Sequence, residues 1–213
     1  MLGPLLPIIS LSLYVSSVAL LIAGAAGIPL GALLALRTFA GRRLVELLIY
    51  TGMGLPPVVV GLAVYMLLSR SGVLGALGWL FTPPGMIVSQ VIIALPLIIG
   101  LTAAAVEGVD PALRLQVRAL GAAPAQVVRA VLTEARAGVL AALVAGFGSV
   151  ISEVGAVMLV GGNIEGETRV LTTAIVLETR KGNFGLALAL GGVLLALATA
   201  ANFLLLRLGG RKA

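Results

Sequence analysis

The chain contains neither cysteine nor histidine. Disulfides, thiolate chemistry, zinc sites built on Cys or His, and imidazole proton relays are therefore excluded, and the redox compartment leaves no trace in the sequence. Charge is scarce as well: Asp, Glu, Lys and Arg make up only 10% of 213 residues, against about 25% in soluble domains. No GxxxxGK[ST] phosphate loop occurs, and the glycines lie in apolar runs rather than between a strand and a helix. The chain is thus not expected to be an enzyme that hydrolyses ATP by that chemistry, and neither a cofactor nor a metal site is indicated. The start, MLGPLLPIIS, puts no basic residue before its apolar stretch. The first helix is therefore expected to stay in the membrane rather than be removed as a secretory signal.

What the chain has in abundance is apolar sequence, 60% of residues with a mean hydropathy of +1.19. A water-soluble fold could not hide that much apolar surface, so residues 1–213 read as one all-α polytopic transmembrane bundle. A helix needs about 20 apolar residues to cross the hydrocarbon core. Five runs qualify, at 5–36, 47–69, 85–106, 137–160 and 184–206; the second carries Pro56-Pro57, the third Pro96, and the fourth is interrupted by Glu153. The runs are continuous rather than alternating, which argues against barrel strands. Small Gly and Ala residues recur in each, as close helix packing in lipid favours.

Basic residues outnumber acidic ones by 14 to 8 but are scattered through short connections. That distribution suits an anionic membrane surface and no nucleic acid. Arg37, Arg42, Arg43, Arg114, Arg118, Arg129, Arg136, Arg207, Arg211 and Lys212 fall on one side of a five-span arrangement; Arg70, Arg169, Arg180 and Lys181 fall on the other. The positive-inside rule then predicts the amino terminus outside and the carboxyl terminus in the cytoplasm, which an odd number of spans also requires. On the outer side, 71–84 contains Trp79 and reads as a surface-lying or re-entrant piece, and 161–183 holds an apolar stretch, 170–177, too short to span.

The cytoplasmic connection 107–136 is the most structured loop. Asp110 is a good N-cap and Pro111 a good first helical residue, Gly121 is a natural stop, and Pro124 can open a second helix. The prediction is a helix–corner–helix knob with Leu113, Val117 and Leu120 on one face and Arg114 and Arg118 one turn apart. Such a knob suits either a partner protein or lipid headgroups.

Arg118-Ala119-Leu120-Gly121-Ala122-Ala123-Pro124-Ala125-Gln126, followed by an arginine-bearing helix, resembles the coupling (EAA) loop of bacterial ABC importer permeases. Gly121 and the apolar Val131 match that pattern, while Leu115-Gln116-Val117 stands where the family has Glu-Ala-Ala and Thr133-Glu134 where it has Leu-Pro. The resemblance implies that Leu115, Arg118, Ala119, Leu120, Gly121, Ala122, Pro124, Gln126 and Arg129 face an ATP-binding subunit whose closure they transmit. A second stretch, Gly146 to Ile164, with Glu153, Gly155-Ala156 and Gly162-Asn163, together with Thr168 to Thr179, is similar to molybdate, sulfate and especially tungstate permeases. The implied role is the permease subunit of an ATP-driven tungstate or related oxyanion importer in a bacterial or archaeal cell membrane. It would work with two ATP-binding subunits and an extracytoplasmic substrate-binding protein. Five spans enclose little pathway alone, so a symmetric homodimer is expected. The alternatives are the same role with molybdate or sulfate, and a secondary transporter or channel without an ATPase, for which inverted repeats and several intramembrane charges would be expected.

Glu153, the one acid deep in a run, reads as structural or part of a gate, because a fixed negative charge repels an oxyanion. Asn163, Arg169, Thr172 and Thr173 carry groups that suit a tetrahedral oxyanion at an outer mouth, and equally suit a loop contacting a partner protein.

Overall fold

The computed structural model describes residues 5–208; Arg211 and Lys212, two of the basic residues counted above, lie outside the described residues. Within them the chain forms ten α-helices and no strand. The helices are α1 (Leu5–Leu36), α2 (Arg42–Met53), α3 (Pro57–Leu68), α4 (Pro83–Glu107), α5 (Pro111–Ala119), α6 (Pro124–Glu134), α7 (Arg136–Ile151), α8 (Gly155–Gly161), α9 (Leu171–Arg180) and α10 (Phe184–Leu208). Helices α1, α4 and α10 are each long and apolar enough to cross a membrane.

Two apolar runs are not the single rods that their composition suggests. The run 47–69 divides into α2 and α3, which meet at 102°. Neither Pro56 nor Pro57 has an N–H to donate, and a proline pushes the residue before it out of the helical region. Pro56 is accordingly extended (φ −61°, ψ 122°), while Pro57 opens α3. The run 137–160 breaks at 152–154 into α7 and α8, and α7 is joined to α6 across Ala135 with a bend of 70°.

The centre of the bundle is α1 lying parallel to α4. Val15 shares a core with Met86, Ala23 with Ile98, and Ala35 with Val106. Their approach is close because α1 presents glycine: a Cβ on Gly31 would sit 2.6 Å from the carbonyl oxygen of Ile99. In lipid, where apolar side chains gain nothing by leaving the solvent, such backbone proximity is a main source of helix attraction. α7 runs antiparallel to α4, placing Phe147 and Val150 beside Ile98, and α10 covers them through Leu194, Ala198, Ala201 and Leu205. Pro96 lies within the continuous α4 and packs where α2 crosses it; a Cβ on Gly52 would come within 2.9 Å of its ring.

At one end the chain is tied by ion pairs of Arg42 with Glu46 and Glu107, both at 2.6 Å, and by a core of Ala32, Ala35, Val106, Val109, Val131 and Ala135. Arg37, Arg42, Arg114 and Arg118 all gather there. At the opposite end, 71–82 forms turns and a short 3-10 turn, Gly75–Leu77, rather than a sixth span. It folds over α3 and α8 through hydrogen bonds from Leu74 N to Leu67 O and from Phe81 N to Val160 O, both 2.9 Å. The stretch 170–177 lies in α9, which packs on α10 and the start of α1 through Leu171, Ala174, Leu190 and Leu5.

Candidate functional site: an exposed knob and a broken helix

The knob is built by capping chemistry. Asp110 Oδ1 accepts a hydrogen bond from Ala112 N (2.8 Å) and Pro111 opens α5. Gly121 takes the left-handed conformation (φ +82°) and donates its N–H to Arg118 O (2.9 Å). Only glycine adopts that conformation without crowding its own Cβ. Gln126 Oε1 then accepts from Ala123 N (2.7 Å), which is half of a capping box, since alanine has no side-chain oxygen to return the bond.

Leu115, Arg118, Ala119, Leu120, Gly121, Pro124, Gln126 and Arg129 are exposed around this corner, and Ala122 is half-buried. One expectation needs correction. Leu120 was placed on the apolar face with Leu113 and Val117, yet it is 87% exposed, whereas Leu113 reaches the core. α5 ends at Ala119, so helical periodicity no longer carries Leu120 back to the bundle. With Leu115, 68% exposed, it forms an apolar tip facing away from the chain. The knob's other side is anchored by Val127, Val131 and Ala135, all buried. Ala135 alone separates α6 from α7, so the knob is joined directly to α7.

The far end of α7 is the second feature. Breaking a helix leaves N–H and C=O groups unpaired, which is costly away from water. Here several of them find side-chain partners. Glu153, 8% exposed, accepts a hydrogen bond from Ala156 N through Oε1 (2.6 Å), in the first turn of α8. Gln90 Nε2 donates to Val150 O (3.0 Å), and Ser152 Oγ donates to Gly148 O (2.7 Å). Thr172 Oγ1 donates to Glu153 O (2.9 Å), and Ser12 Oγ accepts from Leu171 N (2.8 Å) while donating to Ile8 O (2.7 Å). Ser12, Gln90, Glu153 and Thr172 surround a cavity of about 10 Å³ that also touches Ser16, Val15, Ile151 and Val170. That is room for about one water molecule, and Gln90 Oε1, an acceptor with no partner among the described residues, belongs to a residue that lines it.

Glu153 and Thr172 thus come together at the break. Thr173 is buried and caps α9, its Oγ1 accepting from Val170 N (3.1 Å). Both threonines brace buried backbone, because a hydroxyl in this interior serves the nearest unpaired backbone group. Asn163 and Arg169 are the more exposed pair. Asn163 sits in a left-handed turn (φ 54°) and accepts from Arg169 Nε (3.3 Å), and Arg169 also pairs with Glu165 (3.1 Å). Thr168 closes this turn, donating to Gly161 O and accepting from Ile164 N (2.9 Å). Sequence reasoning missed Ser12, Gln90 and Thr168. Gln90 was the one with a usable cue, an amide within an otherwise apolar run. Among the described residues no group of three or more carboxylates gathers where a metal could bind.

Residues 27–212 match the family model described as binding-protein-dependent transport system inner membrane component. The chain belongs to that family. As a member of it, with several apolar helices, it is a multi-pass membrane protein. It is 46% identical over 94% of its length to the probable anion ABC transporter permease protein of Haloferax volcanii, covering 88% of that protein. To the tungstate uptake system permease protein of Peptoclostridium acidaminophilum it is 42% identical, over 92% of this chain and 86% of the relative. Its fold is that of a subunit of the inward-facing MetNI methionine ABC transporter, with a TM-score of 0.79, 99% of this chain and 98% of that chain superposed, at 21% identity. The family's ABC permeases are thus its relatives in sequence and in fold.

Proposed function

We propose that this permease carries tungstate, or a closely related oxyanion, into the cytoplasm, driven by ATP hydrolysed on separate subunits. The observation that carries the reading is the match of residues 27–212 to a binding-protein-dependent permease family. The high similarity to a tungstate uptake permease supports the anion. Two copies of the chain form the pathway at their shared axis. α2 buries none of its residues within one chain, so its surface is available to a second copy or to lipid. The knob lies in the cytoplasm, where Leu115, Leu120 and the Gly121 corner enter a groove on each ATP-binding subunit. Closure of those subunits tilts α6 and, through Ala135, α7. The hydrogen-bonded break at Glu153 lets α8 follow a different course from α7, which is how one end of the pathway opens as the other closes. Glu153 is structural in this scheme. The turn holding Asn163 and Arg169 faces the extracytoplasmic binding protein.

Proteoliposomes containing the chain, its ATP-binding subunit and a tungstate-loaded binding protein are expected to accumulate tungstate only with ATP inside the cytoplasmic-equivalent compartment. Molybdate and sulfate, offered on the same binding protein, should be taken up in proportion to how well that protein binds them. Uptake that proceeds without the ATP-binding subunit would make the chain a secondary carrier instead.

A further inference from the structure

One charged feature is not used by the transport scheme. Between the end of α1 and the knob lies a groove of about 450 Å³ lined by Leu36, Arg37, Arg114, Arg118, Pro124 and Val127, among others. Its volume falls within the roughly 300–1,000 Å³ typical of small-ligand sites. Three guanidinium-bearing side chains share it, and none of them forms an ion pair among the described residues. Arg114 Nε is moreover buried with no hydrogen-bond partner. Like charges drawn together without a counter-ion repel one another, and a buried N–H left unpaired is costly, so both features call for an anion with several acceptor oxygens. The guanidinium fork matches a phosphate-type oxyanion. The apolar wall of Leu36, Pro124 and Val127 favours an anion that is itself attached to an apolar body.

We infer that this groove binds a phosphate-type oxyanion group, carried on the headgroup of an anionic phospholipid, and that the bound group bridges α1 to the knob. Basic pockets on the cytoplasmic face between membrane helices are suited to such headgroups. The inference rests on the membrane placement of the chain and not on which anion it transports. A lipid held there braces Arg114 and Arg118 of the knob against Arg37, so lipid composition becomes an input to coupling.

The test is native mass spectrometry of the full chain in detergent, titrated with phosphatidylglycerol or phosphatidylcholine. The wild type should retain phosphatidylglycerol in preference. The double variant Arg37→Gln/Arg114→Gln should retain it roughly tenfold to thirtyfold less, the size expected when two basic residues near an anionic surface are neutralised. Arg37→Lys/Arg114→Lys, which keeps the charge but loses the planar fork, should fall between and shows that loss is not misfolding. Arg70→Gln, in the loop at the other end of the bundle, should behave as wild type. Millimolar inorganic phosphate distinguishes the sources: displacement of the lipid identifies a free oxyanion as an occupant of the same site, and no displacement leaves the lipid headgroup. Unchanged retention in the double glutamine variant overturns the inference. So does retention that vanishes whenever the ATP-binding subunit is bound, since an acidic side chain of that subunit would then be the counter-ion.

Discussion

Glu153 shows how one residue reconciles a charge with an apolar environment. A carboxylate at the centre of a membrane costs about 2.5–3.5 kcal/mol on insertion scales, and the structure offsets this in part by letting the carboxylate accept from Ala156 N in the first turn of α8. Glutamine retains an acceptor oxygen at the same reach, so Glu153→Gln is expected to change stability by less than about 0.5 kcal/mol. Glu153→Ala removes that acceptor and should cost about 1 kcal/mol, the usual net worth of one hydrogen bond. Thermal unfolding of the two variants in the same detergent separates these outcomes. A glutamine variant that is equally stable but no longer responds to substrate would move Glu153 from the scaffold to the pathway. The reading of Glu153 as structural or part of a gate came from the repulsion between a fixed negative charge and an oxyanion. The partners of Glu153 were not legible, because Thr172 is 19 residues away and the Ser12–Leu171 bond that braces the same region spans 159. Sequence patterns record local chemistry, and such long-range pairings only exist once the helices are packed.

The elements differ in how far they could be read in advance. α5 and α6 start and stop where Asp110-Pro111, Gly121 and Pro124 predict, since capping and φ preferences act within a few residues. The bend between α2 and α3 and the break between α7 and α8 escaped the hydropathy reading, which averages over a window and is blind to a change of direction. Pro56-Pro57 and Glu153 were visible, but whether they kink, break or merely pack depends on neighbours; Pro96, in the same sequence, leaves α4 continuous. The corner between α9 and α10 yields a pH prediction. A hydrogen bond from Lys181 (2.8 Å), then one from Asn183 (2.7 Å), holds Glu178 below the usual carboxylate range. A lowered folded-state pKa means stability that is present above the ordinary carboxylate pKa and lost as pH falls through the lowered one. Amide exchange at 179–184, corrected for the intrinsic rate, should therefore show this corner loosening on acidification below about pH 4.3. Glu178→Gln should flatten that dependence; if the variant kept the wild-type profile, another group would be responsible.

Across the whole molecule the excess of basic residues at one end sets the proposed orientation, and the absence of cysteine makes that proposal easy to check. Single cysteines can be introduced without first removing native ones. In intact cells, a membrane-impermeant maleimide should label Ser71→Cys and leave Leu120→Cys untouched until the membrane is permeabilised; the reverse pattern would invert the molecule and place the knob where no ATP-binding subunit could reach it. The general architecture was legible because it follows from apolar length, charge asymmetry and one capping pattern, and the family because the stretches around Gly121 and from Gly146 to Ile164 resemble those of known permeases. The orientation of each helix relative to its neighbours was not, since it depends on where glycines such as Gly31 and Gly52 let two backbones meet.

The central claim is that the knob couples ATP hydrolysis to transport, and its most direct test is ATPase activity in liposomes containing the chain, its ATP-binding subunit and the binding protein. Gly121→Pro forces a φ near −65° where the corner has +82° and removes the N–H bonded to Arg118 O. Tungstate-loaded binding protein should stimulate hydrolysis by the wild type, and the variant, still assembling with its partner, should lose that stimulation. Equal stimulation of the two would contradict the account, because the corner would then carry no part of the signal.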